Sequence, residues 1–164
     1  MKCFFITAIA AALLIACNND ADKTTETKET GHDAHATTST AVEMPPMPEV
    51  PTNARVFFAN LKEGQIVTSP LKIDMGVEAM NVDTANGILK PASGHHHILV
   101  DIDSIKTGEV IKKDSVHIHF GTAQTSGEIK LPTGRHSLTL QFADALHRSY
   151  GTKLTSKITV EVKE

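Results

Sequence analysis

The sequence predicts an all-β domain, and three observations carry that prediction. Several short runs alternate apolar and polar residues with a period of two, which gives an extended strand one buried and one wet face. Turn chemistry separates the runs at Lys62-Glu63-Gly64, Thr68-Ser69-Pro70, Pro91-Ala92-Ser93-Gly94, Lys106-Thr107-Gly108, Pro132-Thr133-Gly134 and Ser149-Tyr150-Gly151. No stretch of useful length repeats apolar residues at the 3.6-residue spacing of an amphipathic helix. Short strands at this spacing predict a small antiparallel β-sandwich of the immunoglobulin-like kind, with a small barrel as the alternative.

In chain order, Val56-Phe57-Phe58 is an apolar first strand. Leu71-Lys72-Ile73-Asp74-Met75-Gly76-Val77-Glu78 alternates without a break. Gly94-His95-His96-His97-Ile98-Leu99-Val100-Asp101-Ile102-Asp103 is a strand entered through three histidines, with Ile98, Val100, Ile102 and His96 on the core face. Val116-His117-Ile118-His119-Phe120-Gly121 places Val116, Ile118 and Phe120 in the core. Ile129 and Leu131 flank Lys130, Leu138-Thr139-Leu140-Gln141-Phe142 follows, and Lys157 to Lys163 forms the last strand.

The rest of the chain predicts export. Of 164 residues, the first sixteen hold one lysine and then an apolar run, too short for a comfortable membrane span of about 20 residues. Residues 1–16 are expected to be a signal peptide. Leu14-Ile15-Ala16-Cys17 resembles a bacterial lipobox, so Cys17 is the expected lipidation site. Residues 18–53 contain no Leu, Ile or aromatic residue and set seven acids against Lys23 and Lys28. Such a segment buries too little apolar surface to order itself and is expected to be a disordered linker, leaving 54–164 as the domain. The expected location is the bacterial cell envelope, periplasmic or surface-exposed, with the lipid anchor resting on a membrane surface.

Composition excludes several functions. The formal net charge is −3, aromatics make up 4% and Trp is absent. Nucleic-acid binding wants basic surface and stacking rings, so no nucleic-acid partner is expected. Cys3 and Cys17 are the only cysteines. The mature domain therefore has no thiol for thiolate zinc sites, iron–sulfur clusters, blue copper or nucleophilic catalysis. No G-x-S-x-G elbow, H-E-x-x-H helix, P-loop or Rossmann fingerprint occurs.

Nine histidines remain to be explained. His95 and His97 share one strand face, and His117 and His119 share another, both expected to point outward. Residues i and i+2 on a strand lie roughly 6.5–7 Å apart and adjacent strands about 4.8 Å apart. Two such doublets side by side would converge on one ion at M–N distances of about 2.0–2.1 Å. His95, His97, His117 and His119 are thus the candidate metal ligands, for copper or zinc, since an all-nitrogen set does not suit Ca or Mg. Asp101 or Asp103 is a candidate second-shell group or oxygen ligand. Binding is expected to weaken below the ordinary His pKa of about 6.5. His96 is expected to hydrogen-bond on the core side, His136 to be structural, and His147 to be a surface-loop residue. Metal handling without catalysis is the functional expectation. The alternatives are a non-metal interaction or adhesion sandwich with structural histidines and, third, a metal-dependent enzyme.

Several segments in order carry a resemblance. They are Ala54 to Gly64 with Thr68-Ser69-Pro70, Gly94 to Asp101, His117 to Gly121, Gln124-Thr125, and Leu131 to Leu138. Together they resemble the bacterial family designated domain of unknown function 4399. The resemblance implies a small exported all-β domain and brings no reaction with it.

Overall fold

The computed structural model describes residues 43–164. The expected signal peptide, Cys17 and the linker up to residue 42 lie outside them. The described chain forms β1 (Arg55–Phe58), β2 (Gln65–Thr68), β3 (Leu71–Glu78), β4 (Asn81–Val82), β5 (Ser93–Val100), β6 (His117–Phe120), β7 (Ser126–Ile129), β8 (Gly134–Ala143) and β9 (Thr155–Lys163). A single 3-10 turn, Gly151–Leu154, precedes β9.

The strands make two sheets. One is three-stranded and antiparallel in the order β1-β3-β7. The other runs β2-β9-β8-β5-β4, with β6 also paired to β5. It is mixed and not purely antiparallel, because β2 runs parallel to β9 and β4 parallel to β5. The apolar positions of the alternating runs meet between the sheets. Ile73 and Met75 of β3 join Ile98 and Val100 of β5, Leu138, Leu140 and Phe142 of β8, and Val160 and Val162 of β9 in one core.

Burial does not stop at that core. All eight residues of β5 are buried, whereas a one-faced strand buries alternate residues. The segment from Asp101 to Val116 crosses the outer face of the larger sheet. Ile111 packs there with Leu99 and Ala143, and Ile102 and Ile105 join them. Polar groups pin the cover. Thr139 Oγ1 donates to Ile102 O at 2.6 Å, Ser149 Oγ donates to Ile105 O at 2.9 Å, and Ile111 N–H donates to His147 O at 2.9 Å.

Ile102 was expected on the main core face. Asp101 takes a left-handed conformation, φ 58°, which breaks the alternation and turns Ile102 to the other side. Asp101 Oδ1 accepts from Ser137 N–H at 2.8 Å, so the kink is tied to β8.

Residues 43–53, expected as linker, lie within the same compact unit as the sandwich, Glu43–Glu164. Met47 and Val50 pack against the core. Arg148 donates to the carbonyls of Pro45 and Pro46. Proline carbonyls keep their acceptor capacity, so a segment with little apolar surface can still dock through its backbone.

Candidate metal centre

The centre forms where β5, β6 and the turn after β8 meet. The β5–β6 ladder pairs His97 with His119 and Leu99 with His117. Directly opposed residues on one face bring their side chains together, so His97 and His119 meet and His117 lies one step further along. Continuing the register sets Gly121 opposite His95. A Cβ on Gly121 would lie 2.1 Å from both Cε1 and Nε2 of His119. The missing side chain is what lets the His119 ring fold back toward His95. Ring centroids are then 4.7 Å apart for His95–His97, 5.0 Å for His95–His119 and 5.0 Å for His97–His119.

One ligand nitrogen from each of His95, His97 and His119 lies within 4.8 Å of the other two. The Nε2 atoms of His95 and His97 are 2.9 Å apart. A tetrahedral ion with M–N bonds of about 2.0–2.1 Å needs its nitrogens about 3.3 Å apart. The His95–His97 pair stands within a few tenths of an ångström of that spacing, and His119 lies within 4.8 Å of both.

A fourth ring, that of His147, borders the three on the side of His119 and His95, with its centroid 6.1 Å from that of His97. Its Nε2 lies 3.1 Å from Nε2 of His119, and its centroid is 4.8 Å from that of His119 and 5.0 Å from that of His95. The expected surface-loop role is therefore corrected. The turn Asp144-Ala145-Leu146-His147-Arg148 aims the ring inward with His147 left-handed, φ 64°. Asp144 Oδ1 accepts from Leu146 N–H and Arg148 N–H, each at 2.9 Å. Asp144 Oδ2 receives the Arg148 guanidinium at 2.7 Å. The available signal was the Asp-x-x-x-Arg spacing around His147, a side chain–backbone turn of the Asx type.

The other candidates fall elsewhere. His117 is drawn to Asp114, with Nδ1 to Oδ1 at 2.8 Å, and is not part of the convergent group. Asp101 bonds His136 Nδ1 at 2.9 Å, and Asp103 pairs with Lys157, so neither supports a ring of the cluster. His136 also bonds Pro132 O at 3.2 Å, which makes it a strut between turns. His96 does face the core, against the edge of Phe142 at 4.9 Å. Neither of its ring nitrogens has a hydrogen-bond partner, contrary to expectation.

Nor do the candidate ligands of β5 point outward. His95 and His97 are 0% and 1% exposed, because the 101–116 cover and the His147 turn close over that face of the sheet. Burial is the main cause of their low proton affinity. It pushes His95 down to about 3 and His97 to about 2, with the neighbouring rings adding to the effect. Burial also takes His96 to about 4 and lowers His119, where His147 and Lys113 add repulsion. A neutral imidazole has a free lone pair on one nitrogen, the form that binds metal.

A family model described as "Domain of unknown function (DUF4399)" matches residues 73–163. The match starts in β3, so Ala54–Gly64 and Thr68–Pro70 precede it, while every histidine of the cluster falls inside. No match emerged among curated proteins or among solved structures. With more than half its length matched, the chain belongs to the DUF4399 family.

Proposed function

We propose that this domain is a transition-metal-binding module of the cell envelope, taking copper or zinc at His95, His97 and His119, with His147 as a fourth ligand. Lipid on Cys17 anchors it at a membrane surface, and its role is to handle metal, not to catalyse. The observation that supports this reading is the convergence of three imidazole nitrogens within 4.8 Å, two of them fully buried and held neutral by that burial. Imidazole suits copper and zinc. The test is metal analysis of untagged protein purified from membranes. About one ion per chain is expected, lost in the His95→Ala/His119→Ala double variant and retained in His117→Ala. Metal-free parent protein, or unchanged binding in the double variant, overturns the reading.

One observation favours a second reading, an interaction sandwich with structural histidines. The contacts His95–His97 at 2.9 Å and His119–His147 at 3.1 Å have the length of N–H···N hydrogen bonds. On that reading added copper or zinc leaves the melting temperature unchanged. On the metal reading it rises with metal concentration, since an ion that binds only the folded chain stabilises it.

A further inference from the structure

We infer that the histidine centre is built for a monovalent soft cation, Cu(I), in preference to a divalent ion. The inference rests on the reading of the cluster as a metal site and concerns the charge that site accepts. It starts from the absence of anionic compensation. Among the described residues, the convergent group is histidine only, with no carboxylate.

The acids that flank the cluster in the chain are already committed. Asp144 is fully buried and bound by the Arg148 guanidinium and two backbone N–H groups. Asp114 takes His117 Nδ1 and the N–H groups of Val116 and His117. The local cation, Lys113, repels positive charge at His119.

A second observation concerns the far side of the rings. The Nδ1 atoms of His95 and His97 are buried without a partner. A metal-bound imidazole normally donates this N–H to a carboxylate, carbonyl or water, which spreads the charge it receives. A doubly charged ion polarises the N–H strongly and needs that acceptor more than a singly charged one does.

The cost of placing an ion in a poorly solvating interior grows with the square of its charge, so a divalent ion pays about four times the penalty of a monovalent one. Neutral ligands leave the ion's full charge in place. Zn(II) or Cu(II) would have to bring an anion, such as hydroxide from bound water, past the half-buried His119 and His147. Cu(I) needs none. Its filled d shell, like that of Zn(II), imposes no planar geometry, so rings from three separate elements disfavour Cu(II) alone and charge is what separates Cu(I) from Zn(II).

The experiment uses the full-length protein under anaerobic conditions. Cu(I) is titrated against bicinchoninate with ascorbate present, and Cu(II) and Zn(II) against competing chelators. The expected result is one Cu(I) per chain, with the Cu(I)-to-Cu(II) affinity ratio at least tenfold above that of copper in imidazole buffer. Zn(II) at equal concentration should fail to displace Cu(I). A ratio no higher than that of imidazole, or displacement by Zn(II), overturns the charge preference while leaving the metal site intact. Absence of any bound metal overturns the metal reading and this inference with it. His147→Asp supplies the missing carboxylate at a left-handed position that Asp tolerates. It should shift the ratio at least tenfold toward Cu(II) and let Zn(II) compete, and an unchanged ratio counts against the inference.

Discussion

His95, His96 and His97 are neighbours in sequence yet take different environments. His95 and His97 face the covered outer side of the larger sheet, and His96 faces the main core against Phe142. Burial holds all three below the ordinary His value, at about 3, 4 and 2 in chain order. The unfolded chain protonates them near 6.5, and the folded chain does so only at much lower pH. Their contribution to stability is therefore complete above pH 6.5 and is lost as pH falls toward the folded values. Urea unfolding of metal-free protein should show stability declining from about pH 6.5 to pH 4, each histidine adding up to about 1.4 kcal/mol per pH unit. His96→Leu removes two unpartnered ring nitrogens from the core. It should leave stability at pH 7 equal or higher by about 1–3 kcal/mol and flatten the acid slope. For the proposed metal binding, the structure predicts a different pH dependence from the sequence expectation. Because His95 and His97 stay unprotonated well below 6.5, proton competition within the three-histidine group should begin at the half-buried His119, itself lowered, and therefore below pH 6.5. Metal retention measured across pH 7 to 4 checks this, and half-loss at or above 6.5 contradicts it.

At the scale of elements, β6 and the turn after β8 bring the outer two rings to the β5 pair. Gly121→Ala should push the His119 ring aside, since its Cβ would overlap Cε1 and Nε2. The expected outcome is a large loss of metal binding with circular dichroism at neutral pH retained, because Gly121 lies just past the end of β6. The turn bearing His147 rests on the buried Asp144–Arg148 pair. Arg148→Ala strands the Asp144 carboxylate in the interior and should cost about 3–5 kcal/mol in chemical denaturation. It also frees the Pro45 and Pro46 carbonyls, so proteolysis within residues 43–53 should accelerate. The β3 run was legible from its alternation and spans Leu71–Glu78 as expected. The β8 and β9 patterns were legible too, although β8 starts earlier, at Gly134. Short β2 and β4 escaped, because four and two residues are too few for a period to declare itself. Among the candidate ligands, His95, His97 and His119 were legible as doublets on strands. His147 was not, because a lone histidine in a loop has no periodic neighbours to orient it.

At the scale of the whole molecule, the sandwich, its outer cover and the segment from residue 43 form one compact unit carrying the site. The proposed membrane anchor, Cys17, belongs to a different part of the chain. Cys17→Ser should move the protein from the membrane to the soluble fraction without altering its metal content, which fractionation followed by metal analysis checks.

What the sequence determined by itself was local: the strand runs, their turns, the absence of cysteine from residues 54–164, and a supply of histidine on strand faces. These follow from side-chain alternation and backbone preference, which act over a few residues. Tertiary structure decided which histidines meet. The β5–β6 register set His119 opposite His97 and moved His117 beyond reach, and a turn from β8 supplied His147. It also decided that His95 and His97 are buried, because residues 101–116 fold over that face. Register and cover depend on contacts between residues far apart in the chain, and no local period encodes them.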